Sequence, residues 1–316
     1  MTVIRSKYPE FSEAEYLFPA PGGTGACAGC PLAVALKYIL KTLGDKLVLL
    51  ALPGCTSNMM NAPKYLMQKG DWNMQEYSVP LGTSAACAAG LKSAFVARGD
   101  TETQVMVFAG DGATFDAGLQ SLSAAAERND DIIFVCCDNE GYQNTGNQRS
   151  SATPLHGITT TTPYPATKAE PKKDIMLLVA AHRIPYAATA TVAFPEDAIR
   201  KVQTAKTISG FRFLQFLVPC VAAWGIPSER TIEVSRLAVE TKYFPLFEVR
   251  NGTDFTINKT PKGLPITEYT KVQGRYRHFT AEQLAALQQF VDERWRHLNW
   301  LAGYDKPRAP KSRKTA

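Results

Sequence analysis

Five short, nearly unbroken apolar runs, each followed by a stretch of helical periodicity, constrain this chain more than any other feature. They are KLVLLALP (46–53), TQVMVFAG (103–110), DIIFVCCDN (131–139), IPYAATAT (184–191) and GFRFLQFLVPC (210–220). Each is strand-length, and none shows the alternation of a strand with one wet face, so the sheet they form is expected to be covered on both sides. Helical patterns at 31–43, 84–98, 116–128, 173–183 and 195–208 lie before or between them. Strand alternating with helix predicts an α/β fold, a mostly parallel sheet with helices on both faces. A last helix is expected over 280–301, with Thr280 as N-cap, after an irregular stretch at 244–279. The expected organisation is one α/β domain over 1–302 and a basic tail over 303–316.

Charge and hydropathy narrow the class. The longest apolar runs fall far short of the roughly twenty residues a membrane helix needs, and the opening segment lacks the basic-then-apolar pattern of a secretory signal. A cytoplasmic location without membrane contact is the expectation. The net charge of +6 is uneven: GYDKPRAPKSRKTA (303–316) carries five Lys or Arg against one Asp. No aromatic–basic motif accompanies it, so a solvated or partner-docking tail is expected rather than a nucleic-acid site.

The segment VMVFAGDGATFDAG reads as strand, tight turn and helix. Gly110 and Gly112 allow a ligand to approach the backbone closely. The N–H groups of a helix beginning near Asp116 would suit a phosphate, yet Asp111 would repel one. The conflict disappears if Asp111 holds a divalent cation that bridges to the phosphate. Asn139, 28 residues later at the end of the next strand, supplies a second oxygen, and the carbonyl of Gly141 a third. The spacing therefore predicts a Mg²⁺–diphosphate clamp across two adjacent strand ends. No G-x-G-x-x-G follows the first strand, which disfavours a dinucleotide site. The long unpatterned stretch 140–172 leaves this same strand end and is expected to serve the site.

Seven cysteines stand at 27, 30, 55, 87, 136, 137 and 220. Cys27 and Cys30 form C-x-x-C ahead of a helix, Cys55 follows a strand, and Cys220 closes another. Four thiolates from such positions suit a [4Fe–4S] cluster or a zinc ion; a redox disulfide or inert thiols are the plainer alternatives. Cys87, Cys136 and Cys137 read as packing residues. The histidines at 156, 182, 278 and 297 are scattered and read as surface or packing groups.

GDG followed after about 25 residues by DN resembles the thiamine diphosphate motif. Together with ACAGC, PGCTS, DNEGYQNTGNQRSSATP, LVPCVAAWG and YFPLFEV, in that order over roughly 20–255, the chain resembles the thiamine-binding β subunit of 2-oxoacid:ferredoxin oxidoreductases, the pyruvate synthase and oxalate oxidoreductase family. The resemblance implies the thiamine diphosphate-binding fold. It implies cluster ligation by Cys27, Cys30, Cys55 and Cys220, and magnesium ligation by Asp111, Asn139 and the Gly141 carbonyl. Cofactor contacts are implied at Pro53, Gly54, Cys55, Thr56, Gly112, Ala113, Gln143 and Asn144, and at Gly82 and Thr83 in PLGTSA. Asn144 is the implied polar group near the reacting carbon.

The implied reaction is oxidative decarboxylation of a small 2-oxoacid, pyruvate or oxalate in type, with electrons passed to ferredoxin. No glutamate stands out as the acid that activates thiamine, and in the family it comes from another subunit. The chain is therefore expected to act only with the α, and γ or δ, subunits of the same enzyme. CAGCP departs from the family's usual wording after the second cysteine, which points to a divergent substrate subgroup. A non-redox thiamine decarboxylase or synthase carrying structural zinc is the rival reading.

Overall fold

The computed structural model describes residues 24–44, 46–66 and 75–303. The first 23 residues and most of the expected tail, 304–316, lie outside them. Eight strands form one sheet: β1 Leu47–Ala51, β2 Gln75–Ser78, β3 Gln104–Gly110, β4 Ile133–Asp138, β5 Tyr186–Thr191, β6 Arg212–Leu217, β7 Phe247–Arg250 and β8 Asp254–Ile257. Their order is β2-β1-β3-β4-β6-β5-β7-β8. The first six in that order run parallel, while β7 is antiparallel to β5 and β8 to β7. The α/β expectation holds, and all five expected strands form within two or three residues of their expected ends. Every residue of β1, β4, β5 and β6 is buried, as a doubly covered sheet requires.

Helix Pro31–Leu43 illustrates how the covering layer forms. Proline occupies its first turn and Gly44 its C-terminal end at φ 85°. Leu32, Ala35, Leu36, Ile39, Leu40 and Leu43 make one apolar stripe against β1, β3 and β6. On the other sheet face, Ala85, Ala88, Phe115, Leu122 and Val179 pack over Val107, Phe134 and Phe213. A third core, with Trp224, Tyr243, Tyr269 and Val291, lies under the C-terminal helix Ala281–Leu301. That helix starts with a reciprocal Thr280–Gln283 capping box.

Two expectations need correction. The stretch 244–279 is not irregular: it holds β7, β8 and helix Ile266–Thr270. Nor does the helix after the GDG turn begin near Asp116. The backbone is already helical at Asp111 (φ −63°, ψ −38°), passes through a wide π-type turn at Gly112–Ala117, and resumes as helix Leu119–Glu127. The wide turn lets Thr114 return its hydroxyl to the Gly110 carbonyl at 2.8 Å. π-type turns of this sort occur mostly at functional sites.

Candidate functional site

Four neighbouring parallel strands end on one rim. β1 leads into Pro53–Thr56, β3 into Asp111, β4 into Asn139–Gly141 and β6 into Cys220. The carboxyl ends of strands in an open α/β sheet are where ligands bind. A cavity of about 170 Å³ opens there. Pro53, Gly54, Cys55, Thr56, Gly112, Ala113, Asn139, Gly141, Gln143 and Asn144 line it, joined by Leu32, Leu81, Cys137 and Tyr142. Gly82 and Thr83 do not. Their segment contributes Leu81 to the wall, while Gly82 packs on the Ala117 carbonyl and Thr83 bonds back to Pro80.

The glycines at this rim differ in what they face. Gly54 adopts φ 140°, and a Cβ there would meet no atom within 4 Å. It opens onto the cavity and shapes the entry to helix Cys55–Leu66, where Thr56 bonds the Leu52 carbonyl at 3.0 Å. Gly112 is the reverse case, since a Cβ would stand 2.3 Å from the Tyr142 ring. Tyr142 also donates its hydroxyl to the Gly112 carbonyl at 3.1 Å. Gly112→Ala is expected to displace this ring. Overpacking of about 1–3 kcal/mol, borne by the occupied state, would weaken ligand binding in the cavity by roughly tenfold to hundredfold. A cofactor titration of the variant complex checks this.

Asp111 lies just beneath the cavity, fully buried. Burial, then the neighbouring Asp138 carboxylate, pushes its carboxyl well above the usual range. Ser150 donates its hydroxyl to Oδ2, and the Asn139 N–H reaches Oδ1 at 3.3 Å. The inward atom of the Asn139 amide stands 2.7 Å from Asp111 Oδ1 and 2.8 Å from the Gly141 carbonyl. With no cation present the amide nitrogen satisfies both acceptors. With its oxygen inward, that oxygen stands beside both the Asp111 and the Gly141 oxygens. Oxygens adjacent around an octahedral ion at about 2.1 Å stand about 2.9 Å apart, so the set fits Mg²⁺.

Charge supports the same reading. Below the turn, Glu140 pairs with Lys172 at 2.8 Å and Arg275 at 2.6 Å, and Tyr243 donates to it at 2.7 Å. Asp138 takes Lys172 at 2.5 Å and Gln215 at 2.7 Å. Burial would raise Glu140, but Lys172 and Arg275 outweigh it and hold the carboxyl at about 2. Three buried carboxylates thus meet two buried cations. The carboxyl that these cations do not pair is Asp111, which a divalent ion would hold in its ionised form.

The four cysteines of the expected cluster gather on the same rim. Cys27 is exposed, while Cys30, Cys55 and Cys220 are half-buried. Burial raises Cys30 to about 11, with contributions from Cys220 and Cys27. Burial raises Cys55 to about 12, with Cys220, Cys30 and Cys27 adding to it. Cys30 thus has Cys27 and Cys220, and Cys55 all three of the others, as electrostatic neighbours. Among the described residues, no three His, Cys, Asp or Glu side chains form a group that could hold a single metal ion. A four-iron cluster takes one thiolate per iron, so its ligands need not meet at one point. Cys220 caps helix Val221–Trp224 and accepts the Ala223 N–H at 3.5 Å. Gly29 lies against Ser228, and Thr231 donates to its carbonyl at 2.9 Å, which ties the C-x-x-C turn to the segment after Cys220. Cys136 and Cys137 are buried in β4, and Cys87 is half-buried in helix Ser84–Ala97.

Asn144 stands at the cavity wall, with Asn58 donating to its Oδ1 at 2.6 Å. Asn58, Tyr142, Ser150, Trp224 and the Glu140 ion-pair group were not among the expected site residues. The acid-rich end of an otherwise apolar strand, CDNEG, was the signal that buried cations must lie nearby. The histidines keep to packing: His182 bonds Ser123, and His278 bonds the His156 carbonyl.

Comparison with known proteins places this site in a family. Residues 53–216 match the model of the thiamine pyrophosphate enzyme C-terminal TPP binding domain. The chain is 42% identical over 295 residues to pyruvate synthase subunit PorB of Methanocaldococcus jannaschii, covering 90% of this chain and 97% of that protein. It is 42% identical over 293 residues to ketoisovalerate oxidoreductase subunit VorB of Pyrococcus furiosus, covering 89% and 92%. Among solved structures, 2-oxoglutarate:ferredoxin oxidoreductase from Magnetococcus marinus aligns with TM-score 0.56 at 23% identity, over 66% of this chain and 69% of that one. That last likeness speaks to the fold alone.

Proposed function

The chain belongs to the β-subunit family of 2-oxoacid:ferredoxin oxidoreductases, and from that premise we propose that it holds the Mg²⁺–thiamine diphosphate and one [4Fe–4S] cluster of such an enzyme. The substrate is a small 2-oxoacid, of pyruvate or oxalate type, and the electrons pass to ferredoxin. The single observation that carries the reading is that the Asn139 amide stands within 2.8 Å of both Asp111 Oδ1 and the Gly141 carbonyl, on adjacent strand ends.

Thiamine diphosphate, when bound, supplies the carbanion chemistry that decarboxylates a 2-oxoacid. This chain's share is to hold, orient and insulate. Asp111, Asn139 and Gly141 would hold the ion, and Gly54, Gly112 and Ala113 leave backbone room for the diphosphate. Leu32, Leu81 and Cys137 make one wall apolar, lowering the local dielectric. Asn144, with its oxygen engaged by Asn58, presents its amide N–H₂ as the group free to meet a substrate oxygen. Cys27, Cys30, Cys55 and Cys220 would ligate the cluster. Cys55 borders the cavity as well, which makes the electron path short.

The chain is proposed to work only within a complex of α, and γ or δ, subunits, because among the described residues no glutamate lines the cavity as the acid for thiamine activation. The test is co-purification of the native complex and a screen of 2-oxoacids with a low-potential acceptor. The expected result is turnover that requires thiamine diphosphate and Mg²⁺, with absorbance near 400 nm that dithionite bleaches. Full turnover by this chain alone would overturn the shared-site reading. A colourless zinc protein that decarboxylates without reducing the acceptor would establish the rival.

A further inference from the structure

The Asn139–Gly141 turn does not hold itself. Glu140 lies at φ 63°, a region unfavourable for a residue with a Cβ. Asn139 must aim its amide at Asp111 while its own carbonyl faces away. That carbonyl accepts two bonds, from Gln143 Nε2 at 3.0 Å and from Trp224 Nε1 at 3.0 Å. The two donors are not equivalent. Gln143 lies in the cavity wall and leaves its Oε1 buried without a partner, so a ligand can re-engage it. Trp224 is 1% exposed and does not line the cavity.

The indole is fixed on several sides. Arg275 stacks its guanidinium 3.5 Å from the Trp224 ring centroid, and the same guanidinium pairs with Glu140 at 2.6 Å. One side chain thus clamps both the indole and the residue next to Asn139. The short helix carrying Trp224 starts at Cys220 and ends at Gly225 in the left-handed region (φ 60°). Gly225 is pressed against Gly274, whose N–H it accepts at 3.2 Å.

We propose that Trp224 is a positioning residue for the divalent cation: its N–H, bonded to the Asn139 carbonyl, sets the turn that presents the Asn139 and Gly141 oxygens to the ion. The inference rests on the reading of the site as a Mg²⁺–thiamine diphosphate clamp. Residues that orient metal ligands from behind typically govern affinity by 10–100-fold.

The test uses the assembled complex stripped of thiamine diphosphate and Mg²⁺, with Trp224→Phe as the variant. Phenylalanine keeps an aromatic ring under Arg275 and removes the N–H, together with part of the indole's buried volume. Cofactor binding is followed by calorimetry as Mg²⁺ is raised, with turnover measured separately and the visible absorbance recorded as a check on the Cys220 helix. The expected result is a half-saturating Mg²⁺ concentration about 10–100-fold higher, with turnover at saturating Mg²⁺ largely restored and the absorbance unchanged. A Mg²⁺ dependence equal to the wild type overturns the proposal. Should Trp224→Phe fail to assemble, the same titration is read on Arg275→Lys, which keeps a charge for Glu140 but removes the flat stack. A raised Mg²⁺ requirement supports the proposal there, and an unchanged one overturns it. If the wild-type complex itself bound thiamine diphosphate without regard to Mg²⁺, the reading of the site would fail, and not this step alone.

Discussion

Asp111→Asn is expected to move function and stability in opposite directions. The carboxylate is fully buried beside Asp138, and among the described residues no cation bonds to it directly. Asparagine removes the charge and keeps an oxygen for the Asn139 N–H, while its N–H₂ meets Ser150, whose hydroxyl turns to accept. Relief of an uncompensated buried carboxyl should stabilise the metal-free protein by on the order of 1 kcal/mol, a shift of roughly 2–4 °C per kcal/mol in melting temperature. The same change deletes the one anionic ligand of the proposed ion. Loss of a direct ligand should exceed the 10–100-fold typical of outer-shell changes, so a Mg²⁺-dependent cofactor affinity more than about 100-fold weaker is expected. Paired thermal melts and cofactor titrations read both effects. A variant both less stable and fully active would contradict the assignment.

Glu140→Ala is expected to be the most destabilising single change near the site. It strips one anion from a buried group in which Lys172 is 9% and Arg275 8% exposed. Lys172 keeps Asp138, but Arg275 loses its carboxylate, and breaking such a buried pair costs about 3–5 kcal/mol. Tyr243 would lose its acceptor too, and the left-handed turn its anchor. A fall in melting temperature on the order of 10 °C follows from that cost. Glu140→Gln retains the shape and one acceptor, so its loss should be smaller. A melt of Glu140→Ala indistinguishable from the wild type would show that the ion pairs contribute nothing net.

What could be read from the sequence was what is local. The five expected strands are continuous apolar runs because both sheet faces are covered, and that pattern survives without tertiary knowledge. Asp111 and Asn139 were legible for the same reason: one helix and one strand separate them, so parallel neighbours bring them together. β2, β7 and β8 were missed because each is four residues long, and β8 alternates exposed with half-buried positions. β2 and β8 are edge strands without an apolar run, and β7, paired on both sides, is short and interrupted by Glu248 and Arg250. The ion-pair group escaped because Glu140 meets Tyr243 and Arg275 across 103 and 135 residues. Trp224 likewise finds Asn139 across 85 residues. PLGTSA was read from likeness to a family segment, and only Leu81, next to the two residues expected there, reaches the cavity.

The central claim is that two adjacent strand ends grip a magnesium-bound cofactor. Its most direct test is a crystal structure of the assembled complex grown with thiamine diphosphate and Mg²⁺. The account predicts one six-coordinate ion about 2.1 Å from Asp111, the Asn139 amide oxygen and the Gly141 carbonyl, with the diphosphate completing its shell. A cofactor bound elsewhere, or an Asn139 amide still turned nitrogen-inward beside a bound diphosphate, would contradict it.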